Sequence, residues 1–286
     1  MLSEQKVIKS NILNLLGIQV FRYIFSYLYL KSKKTFYRIN NLIKLNNSQY
    51  KYSLFELDSD GFCEFSISAC SHEISNNDLL NEWNEAFKIC EEEGIVTNNT
   101  IHDSDTVVNR RTFIPKKGSR NIFANTIKIF NSDYVRSILS SYIGKEIKDD
   151  YLIDQKIWFD DINNGIEFCS ANELHTDIYY STLKLWIFIE DVKGESSPFA
   201  YYKKSHLFSL QRCAFEYRKS KNYKKEDDFS WRVKDDSIGS YLKNKTLLTT
   251  SAGSVLIADT HGFHARHFSC KKNSRKQIHL SLRYKP

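Results

Sequence analysis

Two short segments of this 286-residue chain carry side chains able to hold a metal ion. The first is His175-Thr176-Asp177, just before the strand-like run Ile178 to Ile189. On an extended chain, residues i and i+2 share a face, so one imidazole and one carboxylate converge there. Both suit a divalent metal of intermediate hardness. Alone, such a pair also arises by chance, as a turn histidine near an aspartate. The second segment is Ala258-Asp259-Thr260-His261-Gly262-Phe263-His264, which follows an apolar strand. Arg275 lies eleven residues further on, at the entry to another strand.

Two histidines and one carboxylate on one side of a metal, with the other side open, form the facial triad of non-heme Fe(II) oxygenases. A buried arginine in the same barrel offers a two-pronged donor to the distal carboxylate of 2-oxoglutarate. Other chemistries have no foothold: the chain holds no GxGxxG, Walker loop, GxSxG or HExxH. Six scattered cysteines without a CxxC pair read as reduced thiols of a cytoplasmic protein.

The elements that must position these residues are β-strands. From about Tyr151, runs rich in β-branched and aromatic residues follow one another: Ile153 to Phe159, Gly165 to Cys169, Leu183 to Ile189, Ser254 to Ala258 and Ile278 to Tyr284. Strands without helices between them argue for an antiparallel sandwich or barrel. The first half is mixed. Helices are expected over Asn77 to Glu93 and over Asp133 to Ile143, each stopped by a glycine. The polar, charge-rich stretch 209–243 reads as an insertion or lid; its basic run from Arg218 to Lys225 is either a solvated face or a site for an anionic substrate. His206 is expected to support its loop, and His279, on an alternating strand, to face solvent or a neighbour.

In order and spacing, residues 150–286 resemble the phytanoyl-CoA dioxygenase family of Fe(II)- and 2-oxoglutarate-dependent oxygenases. That family shows HxD, an apolar strand containing Trp, a segment NGPF-x-Y-x-PGSH, then DT-x-GFH and an arginine about eleven residues on. This chain reads His175-Thr-Asp177, Leu185-Trp186-Ile187, Ser197-Pro198-Phe199-Ala200-Tyr201 ending in Ser205-His206, then Asp259-Thr260-His261-Gly262-Phe263-His264 and Arg275. The resemblance implies a mainly β fold with flanking helices, a double-stranded β-helix (jelly-roll, cupin-like) core. It implies His175, Asp177 and His264 as iron ligands, Arg275 as the anchor of 2-oxoglutarate, and Trp186 as a wall of the cosubstrate pocket or plain core. His261 and His267 flank His264, so that assignment rests on the match to GFH. The family's Asn-Gly reads Ser196-Ser197 here and its Pro-Gly reads Lys203-Lys204, which touches the loop's shape and no ligand.

By the same resemblance, Fe(II), 2-oxoglutarate and O2 would serve hydroxylation of an unactivated C–H in a small molecule or cell-surface sugar intermediate. Retention of Asp177 favours hydroxylation over halogenation, whose enzymes replace this carboxylate with a small residue. The rival is a non-catalytic jelly-roll protein that binds a carbohydrate or an anionic small molecule.

The organisation expected is a basic aromatic helical segment (1–50), a mixed part of the oxygenase domain (51–150) and the catalytic core (151–286). With 41% hydrophobic and 26% charged residues the chain is an ordinary globular protein, not a disordered or multi-span membrane one. Its net charge of +7 is local: residues 1–50 carry eight Lys and Arg against Glu4 alone, and the rest is balanced. A neutral body without a recognition motif speaks against nucleic acid. Residues 1–38 can instead touch the inner face of an anionic membrane as an amphipathic helix, or pack on the core with a solvated basic end.

Overall fold

The computed structural model describes residues 18–41, 49–92, 107–113, 123–147, 157–163, 173–177, 182–221, 230–233, 238–267 and 274–283. Its helices are α1 (Ile18–Asn40), α2 (Lys51–Asp60), α3 (Asn76–Glu92), α4 (Ala124–Phe130), α5 (Asp133–Ile143) and α6 (Leu210–Lys221). Its strands are β1 (Phe62–Ser66), β2 (Val107–Phe113), β3 (Ile157–Asn163), β4 (His175–Asp177), β5 (Thr182–Phe188), β6 (Phe199–Tyr202), β7 (Ser230–Arg232), β8 (Lys245–Leu248), β9 (Ser254–Asp259), β10 (His264–Arg266) and β11 (Ser274–Arg283).

The strands form two antiparallel sheets. One has six strands in the order β1-β9-β5-β11-β3-β2, the other five in the order β7-β4-β10-β6-β8. This is the double-stranded β-helix expected from the sequence. Strands β1 and β2, which precede residue 150, form the two edges of the larger sheet.

The larger sheet is covered on both faces, which explains why β5 is buried almost end to end. Leu183, Leu185 and Ile187 join Ile278, Leu280 and Leu282 of β11 in a core shared with α2, α3, α4 and α5. The alternate residues Trp186 and Phe188 point the other way, into the sandwich, with Tyr201, Leu248 and Leu256.

Helices α3 and α5 lie where the apolar spacing puts them. Ser132 caps α5 by accepting from the Val135 amide, and Gly144 ends it at φ 73°. The backbone of Lys33 in α1 passes so close to Gly144 that a Cβ there would lie 2.5 Å from it. Of the strand expected at Ile153 to Phe159, residues 153–156 lie outside the described residues, and the rest is found in β3, which runs on through Asp160 and Asp161 to Asn163. Its polar end stays extended because β2 and β11 supply ladder partners on both sides as far as Asn163. The expected strand Gly165 to Cys169 lies outside the described residues. Among the described residues no helix is long and apolar enough to cross a membrane, and Cys63, Cys70 and Cys213 are free thiols.

Candidate metal centre

Strands β4 and β10 pair with His175 opposite His264. Directly opposed side chains on an antiparallel pair are close neighbours, and these two rings lie 4.2 Å apart between centroids. Asp177 is two residues along β4 on the same face. The three together offer one ligand atom each, all within 4.8 Å of one another. His261, on the turn before β10, is buried beside the Arg212–Glu216 pair and lies outside this cluster.

The hydrogen bonds around the cluster fix how each ligand is presented. The Nδ1 of His175 lies 2.8 Å from the Glu173 carbonyl and that of His264 lies 2.9 Å from the Gly262 carbonyl. A carbonyl only accepts, so each Nδ1 carries the proton and each Nε2 keeps its lone pair. On Asp177, Oδ2 receives the Thr260 hydroxyl at 2.5 Å and the Lys184 ammonium at 2.8 Å. That leaves Oδ1 for a metal. Pinned imidazoles with a hydrogen-bonded carboxylate are what a divalent site requires around it, so the residues fit such an ion.

Protonation states agree with this. Burial pushes the His175 imidazole well below its usual value, with His264 adding to the effect, and pushes His264 down to about 4. Burial alone would raise the Asp177 carboxyl, but the Lys184 ammonium, then His264, hold it below the ordinary range. Near neutral pH the trio is two neutral imidazoles and one carboxylate.

Behind β4, α6, at the start of the stretch 209–243, reaches the site. Arg212 and Glu216 form a fully buried ion pair at 2.7 Å. Arg212 donates to the Thr176 hydroxyl, between the two candidate ligands, and to the Ser205 carbonyl. The Thr176 hydroxyl in turn donates to the His261 carbonyl. Gly262 is required by contact: a Cβ there would fall 1.9 Å from the Tyr201 hydroxyl.

The remaining predicted residues lie on the inner face of the larger sheet. Register sets Gln277 opposite Phe188, His279 opposite Trp186 and Ser281 opposite Lys184. Arg275 is buried at the start of this row and donates to the Ser197 carbonyl. Trp186 is buried with its ring 5.0 Å from Phe199. His279 turns inward to a neighbour, 6.5 Å from Trp186, and not to solvent. His206 supports its loop, with Nε2 3.1 Å from the Asp58 carbonyl. Lys184, Thr260, Gln277 and His279 were not singled out from the sequence as parts of the site. The signal for the last two was present, because Arg275, Gln277 and His279 alternate on one strand.

Among the described residues, two other than glycine adopt positive φ: Ser197 at 52° and Lys204 at 66°. They occupy the second positions of the Ser196-Ser197 and Lys203-Lys204 pairs, where the sequence pattern it resembles carries glycine. The backbone therefore adopts the left-handed conformation at both positions without the residue that favours it.

No family model and no curated protein matches the chain. Among solved structures, EctD from S. alaskensis with bound Fe is similar in fold at a TM-score of 0.50 and 10% identity, over 80% of this chain and 74% of that one. EctD with 2-oxoglutarate and 5-hydroxyectoine gives a TM-score of 0.50 at 10% identity, over 80% and 73%. HygX from Streptomyces hygroscopicus with iron bound is similar at a TM-score of 0.45 and 12% identity, over 80% and 85%.

Proposed function

We propose that this chain is an Fe(II)- and 2-oxoglutarate-dependent oxygenase of the phytanoyl-CoA dioxygenase type, hydroxylating an unactivated C–H of a small molecule or cell-surface sugar intermediate. The observation that carries the reading is the cluster of His175 Nε2, His264 Nε2 and the Asp177 carboxylate, each already oriented from behind. Solved structures of the same fold that hold Fe and 2-oxoglutarate support it, as does the left-handed conformation at Ser197 and Lys204.

Bound Fe(II) with 2-oxoglutarate supplies O2 activation coupled to decarboxylation to succinate and CO2. The chain's own residues bind, orient and shield. His175, His264 and Asp177 would hold the metal, and three protein ligands would leave it able to take up cosubstrate and O2. Arg275, buried on the inner face, would pair with the distal carboxylate of 2-oxoglutarate. Trp186 and Phe199, packed ring against ring at 5.0 Å, would shield the cosubstrate from water. Asp177 and Lys184 are partly solvent-exposed, 16% and 24%, and mark the side from which substrate enters.

The test is anaerobic Fe(II) binding followed by turnover of 2-oxoglutarate to succinate. Wild type should bind one equivalent and form succinate, and Asp177→Ala should lose both. Ligand binding that persists undiminished in Asp177→Ala, with no succinate from wild type, supports instead a non-catalytic jelly-roll binder.

We also propose peripheral contact of α1 with the surface of an anionic membrane at the cytoplasmic face. Leu28, Phe36 and Ile39 are exposed along it, beside the cation Lys31. Deleting residues 1–38 should abolish flotation with phosphatidylserine vesicles, and unchanged flotation would refute it.

A further inference from the structure

Among its described side chains, helix α1 exposes several apolar residues and turns cations toward the body. A surface helix normally buries its apolar stripe and solvates its charges. Here Leu28, Phe36 and Ile39 face outward, Phe36 with 70% of its surface exposed. Lys31, Lys34 and Arg38, spaced i, i+3 and i+7, line a cavity of about 250 Å3 between α1 and the body. Its other walls include Asp58 from α2, Tyr142 from α5, His206 and Asp259.

The anions on these walls are already engaged. Arg38 Nη2 lies 2.7 Å from Asp58 Oδ2, and Lys34 Nζ lies 3.8 Å from the other oxygen of that carboxylate. Asp259 accepts from the Tyr142 hydroxyl at 2.7 Å and from the His261 amide at 3.0 Å. Lys31 makes no ion pair among the described residues. Three cations thus face two occupied carboxylates, an excess of positive charge beside a void. Burial of cations without matching anions is unfavourable, and burial accordingly pushes Lys34 down to about 8.

We propose that this cavity is a binding site for a small oxyanion carrying about two negative charges, of the phosphate or sulfate kind, held by Lys31, Lys34 and Arg38. Size selects the class. A water occupies about 30 Å3 in the liquid, so the space holds an ion with a few waters. It falls below the roughly 300–1,000 Å3 of pockets for drug-sized ligands. Asp58 and Asp259 repel the anion toward Lys31 and Lys34, while Arg38, paired with Asp58, offsets that carboxylate's charge. The site stands apart from the metal centre and does not depend on the oxygenase reading.

The experiment uses the full chain, with inorganic phosphate as the probe and sodium chloride at equal ionic strength as the control. Calorimetry should show saturable phosphate binding, with sulfate competing. Lys31→Gln and Lys34→Gln should each weaken it about tenfold or more, the loss expected for one charge-assisted contact. Lys31 is exposed and unengaged by the body, so its variant tests the site without risk to folding. At pH 8.5 binding should take up protons in wild type, because the anion restores the charge on Lys34 among Asp58, Asp259, Lys31, Arg38, Tyr142 and His206; this uptake should vanish in Lys34→Gln. Stabilisation by phosphate no greater than by chloride overturns the proposal. So does phosphate affinity that both variants leave unchanged, which would place the ion elsewhere, for example beside Lys184.

Discussion

Replacing Thr260 by valine tests whether Asp177 is held for a metal or only for packing. Thr260 is fully buried, and its hydroxyl lies 2.5 Å from Asp177 Oδ2 and 2.9 Å from the Thr182 carbonyl. Valine keeps the shape, and the Thr182 carbonyl keeps a donor in the Thr260 amide at 2.8 Å. The change therefore deletes one contact to the carboxylate and strands no other buried group. A hydrogen bond to a charged acceptor contributes about 1.5–3 kcal/mol. Lys184 holds the same oxygen at 2.8 Å, so the low end applies, about 1.5 kcal/mol or roughly tenfold in Kd. Outer partners of metal ligands elsewhere cost about 10- to 100-fold when removed. The assay is anaerobic titration with Fe(II), or with Co(II) followed by its absorption, alongside thermal denaturation. Thr260→Val should weaken metal binding about tenfold with the fold preserved. Affinity within twofold of wild type in a folded variant would show that Thr260 does not orient a metal ligand.

Other perturbations separate the parts of the site. Arg275→Gln should raise the KM for 2-oxoglutarate on the order of a hundredfold, as loss of a buried charge partner does, while Fe(II) affinity stays unchanged. Lys204→Gly relieves a left-handed conformation worth about 1–2 kcal/mol, less about 0.5–1 kcal/mol for glycine's freedom when unfolded. With an unfolding entropy of about 2.1 cal/mol/K per residue, Tm should rise by about 1–2 °C, and Lys204→Ala should not raise it. Lys34 is pushed from 10.5 to about 8 in the folded state, so between those values the unfolded chain binds more protons. Stability should rise with pH across that window, and Lys34→Met should flatten the rise in urea unfolding.

Much of the site was legible because its residues lie in short, local patterns. The i, i+2 pair His175 and Asp177 needs only an extended backbone, and the spacing of Val135, Ile138, Leu139 and Tyr142 needs only a helix. Other features escaped because their partners are far away in sequence. Lys184 gains its place from Asp177, and Thr260 from a carboxylate 83 residues earlier. The engagement of Lys34 and Arg38 of α1 with Asp58 escaped too, because nothing local reveals that carboxylate opposite them.

The sequence by itself determined which residue types are available, the antiparallel β architecture, and that a metal of intermediate hardness suits His175 and Asp177. The resemblance to the GFH pattern named His264 as the third member, and tertiary structure supplied the physical reason that it clusters with His175 and Asp177. His261, His264 and His267 are three residues apart, and the residue numbers alone favour none. Register chose among them: β10 pairs with β4 so that His264 stands opposite His175, while His261 turns to Arg212 and Glu216. A shift of one residue in such a ladder would turn every side chain to the other face, and that register is set by long-range pairing that no local stretch of chain encodes.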